Sequence, residues 1–123
     1  MTDQTDSRLP LTPLTMAILL SLAEEDQHGY ALMRSVTEQT EGSLRPGTGS
    51  LYAALQRLMD DQLIIESPAP VAEGEDPRRK SYRITTAGRD LVRAEAERML
   101  RVLRIAEDRA LAPSGLARVA GRV

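Results

Sequence analysis

The chain has 123 residues, a hydrophobic fraction of 41% and a formal net charge of −2. That suffices for one packed domain with a helical extension, and three Tyr with no Phe or Trp make its core aliphatic. Zero Cys excludes disulfides, thiolate metal sites and a cysteine nucleophile. No basic start followed by an apolar run marks a signal peptide, and the longest apolar block, residues 16–20, is too short to span a membrane. The chain is therefore expected in the cytoplasm.

Residues 1–10 are polar and aperiodic and read as a disordered arm. Thr12 followed by Pro13 is a helix start, a hydroxyl cap and then a proline at the first helical position. Leu14, Ala17, Ile18, Ser21 and Leu22 then recur at helical spacing, and this helix ends near Glu25. Residues 26–30 read as a connector turning at Gly29. A second helix from near Gly29 puts Leu32, Met33 and Val36 inward, and Gly42 fits just past its end. Ser43-Leu44-Arg45 reads as a short strand and Pro46-Gly47 as a turn. Thr48 or Ser50 is expected to cap a third helix over 48–61.

In that third helix Leu51, Leu55 and Leu58 face the core, flanked by Ala54 and Met59. Ser50, Ala53, Gln56, Arg57 and Asp60 form an opposite face too polar to be buried, with Tyr52 at its edge. Residues 63–67 read as a strand, 71–76 as an acidic loop, and 80–85 as the return strand, where Tyr82 and Ile84 alternate with Ser81 and Arg83. Thr85 or Thr86 caps a last helix. Within it Val92, Ala96, Met99, Leu103, Ala106 and Ala110 repeat at heptad spacing, widened by Leu100 and Leu111. Pro113 ends it.

This order predicts a mainly α chain with a small β-hairpin, a winged helix-turn-helix with a long C-terminal dimerisation helix. The divisions are an arm over 1–10, a DNA-binding domain over 11–86, a dimerisation helix over 87–111 and a flexible tail over 112–123.

The average charge conceals a segregation. Residues 66–76 carry Glu66, Glu73, Glu75 and Asp76 and no base; residues 78–93 carry Arg78, Arg79, Lys80, Arg83, Arg89 and Arg93 against Asp90 alone. A local basic field of this kind still suits DNA. Thr48, Gly49 and Ser50 supply short hydroxyls and open backbone N–H groups at a helix start, as entry into a major groove requires, and Gly49 permits close backbone approach. Arg45 lies just ahead of them, and Gln56 and Arg57 follow one to two turns on. Asp60 and Asp61 would be repelled by phosphate, so the contact surface should lie in the first half of the helix. A run such as Arg78-Arg79-Lys80 is most often a solvated charge run. At the tip of a hairpin over 68–80, it reads as a contact to the DNA backbone or the minor groove. Specificity is then expected on the third helix and much of the affinity on residues 78–83.

The apolar seam of the last helix runs past what a small three-helix core covers, which predicts a two-fold homodimer with help from the first helix. The lone His28 has no His, Cys or triad partner and reads as a turn residue. Gly47 and Gly49 do not make a phosphate-binding loop. A small hydrolase would need a nucleophile and base that the chain does not offer, so no enzyme, metal or cofactor is expected.

His28-Gly29-Tyr30, then Gly49-Ser50-Leu51-Tyr52 with Leu55, Arg57-Leu58 and Leu63-Ile64, then the run from Arg79 to Gly88 resemble the PadR-type transcriptional regulators. The resemblance covers roughly residues 11–92 and is to the short form with one helix after the wing. It implies a homodimeric winged-helix repressor of bacterial promoters, acting on an inverted-repeat operator and releasing DNA when a small hydrophobic or aromatic molecule binds. By position it places Tyr30, Ser50 and Tyr52 near DNA and Arg79 and Lys80 in the wing. Both Tyr30 and Tyr52 also read as packing between the second and third helices. The chain departs from the family at Gln62, where a glycine usually ends the third helix, and in a last helix without aromatics to line an effector pocket. The rival reading is a winged-helix protein-interaction module, which the acidic balance and the single Lys favour.

Overall fold

Three of the four helices begin where the sequence supplies a side-chain acceptor. Thr12 Oγ1 accepts from Thr15 N at 3.1 Å with Pro13 following as the first helical residue, and His28 Nδ1 accepts from Ala31 N at 3.4 Å. The lone histidine is thus a helix cap. Thr85 Oγ1 accepts from Gly88 N at 3.0 Å and caps the last helix. In the computed structural model, which describes residues 8–67 and 80–113, the elements are α1 (Pro13–Glu24), β1 (Gln27–His28), α2 (Gly29–Gln39), α3 (Thr48–Asp60), β2 (Ile64–Glu66), β3 (Ser81–Ile84) and α4 (Thr86–Asp108). This is a mainly helical fold around a small antiparallel sheet, with the long C-terminal helix that the sequence predicts.

The sheet has the order β1-β3-β2, pairing Gln27 with Tyr82 and Ile64 with Ile84. Its third strand is a correction. Residues 26–30, read as a connector, contain β1, whereas Ser43-Leu44-Arg45 forms no strand and Pro46-Gly47 no turn. Gln27–His28 pairs with β3, and Leu44 N is satisfied instead by Thr40 Oγ1 at 3.1 Å. Gln27 is held from both sides: its Nε2 donates to Ser21 O at 3.0 Å and its Oε1 accepts from Ser35 Oγ at 2.8 Å. Two side-chain bonds thus fix a strand too short to have a pattern of its own.

The core takes Ile18, Leu19 and Leu22 from α1, Leu32 and Val36 from α2, and Leu51, Leu55 and Leu58 from α3. Leu63, Ile64, Tyr82, Ile84 and Leu91 close it. Tyr82 is the buried tyrosine, and burial pushes its phenol up. The arm over 1–10 is not disordered throughout, since Leu9 packs against the core, as does Leu11 just after it; residues 1–7 lie outside the described residues, as does the tail from residue 114.

Three helices end on a non-glycine residue with positive φ: Glu41 at 52° after α2, Gln62 at 62° after α3 and Ala110 at 59° after α4. Each is followed by a backbone bond that closes the last turn, Gly42 N to Thr37 O at 2.9 Å, Leu63 N to Leu58 O at 2.9 Å and Leu111 N to Ala106 O at 2.8 Å. The turn through Ala110, not Pro113, ends α4. Gln62 leads directly into a junction. Thr85 N donates to Leu63 O at 3.0 Å and Thr85 Oγ1 donates to Gln62 O at 2.9 Å. Gly88 sits so close that a Cβ there would strike the Leu63 carbonyl oxygen and come within 2.7 Å of Ile84 Cγ1. The end of α3 and the start of α4 are therefore one joint.

On α4 the buried positions are Gly88, Leu91 and Glu95. The Glu95 carboxylate accepts from Leu11 N at 3.0 Å, from Arg98 Nε at 2.5 Å and from Arg98 Nη2 at 3.1 Å. A glutamate on a helix reads as solvated, and sequence reasoning passed over it. These bonds, the Arg98 guanidinium first, hold its carboxyl below the ordinary value of 4.5.

Left-handed backbone costs a side-chain-bearing residue more than it costs glycine. Gln62→Gly is expected to raise stability by about 0.5–1 kcal/mol, read as a higher denaturant midpoint at unchanged slope.

Candidate nucleic-acid interface

The third helix presents its polar face as the sequence predicts. Thr48, Gly49, Ser50, Tyr52, Ala53, Gln56 and Arg57 are all exposed, while Leu51, Ala54, Leu55 and Leu58 are buried beneath them. Its start differs from expectation. Neither Thr48 nor Ser50 is the cap; Gly47 takes that position and no side chain bonds the first turn. Nothing lies within 4 Å of where a Cβ would stand on Gly47 or Gly49. Among the described residues, the result is an unobstructed helix N-terminus whose first N–H groups carry the positive end of the helix dipole and lack a side-chain acceptor. Two hydroxyls stand beside them. This arrangement can receive a phosphate or base edge without first breaking a bond.

Tyr52 and Gly29 explain each other. A Cβ on Gly29 would strike the Tyr52 hydroxyl and stand 2.6 Å from its Cζ, so the phenol lies directly on the α2 backbone. The ring ties α2 to α3 with one side still exposed. Tyr30, the next residue of α2, is among the most exposed apolar side chains. Arg34, one helical turn on, is exposed as well, and sequence reasoning missed it.

Several polar side chains named from sequence have partners. Arg45 Nε donates to Gly42 O at 3.2 Å, over the end of α2. Gln56 Nε2 donates to Asp60 Oδ1 at 3.0 Å. Arg57 is exposed. Lys80 Nζ lies 3.2 Å from Glu66 Oε2, an exposed pair of little energetic weight. Arg78 and Arg79, with the rest of the wing over 68–79, lie outside the described residues.

Arg83 corrects the expectation that residues 78–83 act together. Its guanidinium grips Asp26, Nη2 to Oδ2 at 2.8 Å and Nε to Oδ1 at 3.2 Å, and Ser67 Oγ donates to the same carboxylate at 2.7 Å. The guanidinium, and after it the Ser67 hydroxyl, holds the Asp26 carboxyl below its ordinary value of 3.8. Arg83 thus fastens the sheet to the turn after α1. The pairing was hidden because Asp26 stands 57 residues earlier.

Along α4, Val92 packs against the core, while Leu100, Leu103 and Ala106 are half-buried and Ala96 is exposed. Ala110 stands just past the helix end. Met99, Val102 and Ile105 are 45%, 51% and 52% exposed. Val102 and Ile105 fall outside the strict heptad and extend the stripe of Leu91 and Glu95 along the helix. Between α1 and α4 lies a cavity of about 200 Å³ lined by Ala23, Ile84, Arg89, Val92 and Arg93. It has no aromatic wall, and two arginines line it, Arg93 paired with Asp90 at 3.1 Å. Among the described residues no cluster of acids and histidine is placed to hold a metal, and no helix is long and apolar enough to cross a membrane.

The model of the transcriptional regulator PadR-like family matches residues 18–94. The chain is 40% identical over 87 residues to an uncharacterized 37.1 kDa protein in transposon TN4556 of Streptomyces fradiae; the match covers 71% of this chain and spans 23% of that protein's length. It is 33% identical over 88 residues to a protein X of Lysinibacillus sphaericus, covering 68% of this chain and 79% of that one. A crystal structure of a PadR family transcription regulator from Clostridium difficile shares the fold, with a TM-score of 0.67 at 22% identity over 79% of this chain and 97% of that chain.

Asp26 and Glu95 both have folded pKa values below their ordinary ones, so their stabilisation is complete above pH 4.5 and lost as pH falls through the depressed values. Thermal melts are expected to drop steeply below about pH 4.5. The double variant Asp26→Asn, Glu95→Gln should be less stable at pH 7 and show a flatter acid limb.

Proposed function

The chain belongs to the PadR-like family of transcriptional regulators, and on that premise we propose a dimeric, sequence-specific DNA-binding repressor whose release from DNA is controlled by a small ligand. DNA binding and regulation of transcription come with the family. The observation that supports α3 as the element entering DNA is its open start, with its unshielded N–H groups, Thr48, Ser50 and the bare backbone of Gly47 and Gly49.

Each protomer lays this start in a major groove, with Tyr30, Tyr52 and Arg57 at the flanks and Arg45 beside the adjoining phosphates. Gln56 reaches a base edge after releasing Asp60. The wing, with Arg78, Arg79 and Lys80, lies along the backbone or in the neighbouring minor groove. Two protomers join through the apolar face of α4, from Ala96 to Ala106, with help from α1. Their half-sites form an inverted repeat about 34 Å apart, one helical turn. An effector acts by changing the angle between protomers. The arginine-lined cavity between α1 and α4 favours an apolar or anionic molecule over a cationic one.

The net charge of −2 and the pairing of Lys80 and Arg83 favour the rival, a protein-interaction module. A gel shift on the DNA upstream of the gene separates the two, since a specific shift at moderate salt excludes the module.

Replacing Arg78, Arg79 and Lys80 with Ala is expected to weaken operator binding at low salt. The slope of log affinity against log salt should fall by about 0.9 for each phosphate that is no longer neutralised. An unchanged slope removes the wing from the interface. Val102→Glu with Ile105→Glu should give a monomer by sedimentation with melting retained.

A further inference from the structure

We propose that Glu95 is a positioning residue: its bond to the Leu11 backbone N–H sets the angle at which α4 leaves the DNA-binding unit, and with it the half-site spacing that the dimer accepts. The second clause rests on the dimeric reading above; the first does not.

Glu95 is 2% exposed and is the only buried carboxylate among the described residues. Burying such a group is costly unless every lone pair is used. An aliphatic side chain would fill the site at lower cost, so the carboxylate calls for an explanation. Two of its three bonds come from Arg98, one turn along the same helix, and so cannot orient that helix against anything. The third comes from Leu11, 84 residues away, at the entry to α1. It is directional, as an apolar contact is not.

Position gives this bond leverage. Glu95 is the last fully buried residue of α4. Beyond it the helix runs on through Asp108, roughly thirteen residues or about 20 Å, without another fully buried position. A tilt of about 6° about the Gly88 joint moves Glu95 by about 1 Å and the far end by about 3 Å. That is close to the rise of one base pair, about 3.4 Å. The apolar packing of Leu91 alone would tolerate such a tilt, because a sliding side chain keeps most of its contacts. The Leu11 bond would not, because its geometry is lost within a few tenths of an ångström. Arg98 keeps the carboxylate charged by bonding both its oxygens, Nε to Oε1 and Nη2 to Oε2, and Oε2 also accepts from Leu11 N.

The chain has no cysteine, so spin labels at the exposed sites Glu38→Cys and Arg104→Cys report the distance between the body and the far part of α4. The full-length labelled chain is diluted with unlabelled chain so that only pairs within one protomer register. A narrow distribution is expected for the parent. Glu95→Ala should broaden or shift it by about 3 Å. Leu11→Pro, which deletes the donor and leaves Glu95 in place, should do the same if Glu95→Ala does not fold. Glu95→Gln keeps an acceptor for Leu11, and Arg98→Ala keeps the carboxylate, so both should stay narrow. A distribution unchanged in Glu95→Ala and in Leu11→Pro, or broadened equally by Glu95→Gln, overturns the proposal.

Selection from a library of inverted repeats reads the consequence. The parent should choose one spacing, and Glu95→Ala should also accept spacings one base pair either side. A Glu95→Ala chain that keeps the parent's single spacing overturns the link to spacing. A parent chain that is monomeric, or that selects no inverted repeat, defeats the dimeric reading instead, and the distances within one protomer still decide the role of Glu95.

Discussion

The close approach of Gly88 to the Leu63 carbonyl is the constraint on which the arrangement depends. There the end of α3, the return strand and the start of α4 share one small volume, with Thr85 bonded to both Gln62 and Leu63. A side chain at position 88 has no room, and pushing the backbones apart would break the cap of α4 and the last turn of α3 together. The helix that offers its start to DNA and the helix that carries the apolar seam are thus joined within a few residues. Glu95, two turns further on, ties the same helix to the entry of α1. Between these two points α4 is fastened to the body, and beyond them it has no fully buried position.

What was legible in the sequence follows from periodicity and from local chemistry. The inward leucines of α3, the alternation of Tyr82 and Ile84, and the caps at Thr12 and Thr85 all depend on neighbours a few residues away, and all stand as read. What escaped depends on distant partners. Gln27–His28 has no strand pattern and becomes β1 because β3 offers an edge and Ser21 and Ser35 hold Gln27. Glu95 looked solvated because nothing near it in the chain shows that Leu11 will lie against it. Arg83 looked like wing charge because Asp26 is far away in sequence. Val102 and Ile105 were missed for another reason: a strict heptad is narrower than the apolar face a globular helix uses.

The charge of the molecule is spent in two ways. Arg83 with Asp26, and Arg98 with Glu95, hold structure together. The positive character of α3 comes instead from its own backbone, concentrated at a start that no side chain covers. A field of that kind is short-ranged and set by orientation. It requires no net positive charge on the chain, which reconciles an acidic total with a DNA-binding family.

The aliphatic core has an optical consequence. With no tryptophan, the near-ultraviolet signal belongs to three tyrosines, and they are divided between tasks. Tyr82 is enclosed, with its phenol pushed to higher pKa by burial, and so reports on the integrity of the fold. Tyr30 and Tyr52 are exposed, Tyr52 at the α2–α3 contact itself. The protein therefore carries intrinsic chromophores for its interior and for its outer face, which alkaline difference spectra can resolve without adding a dye.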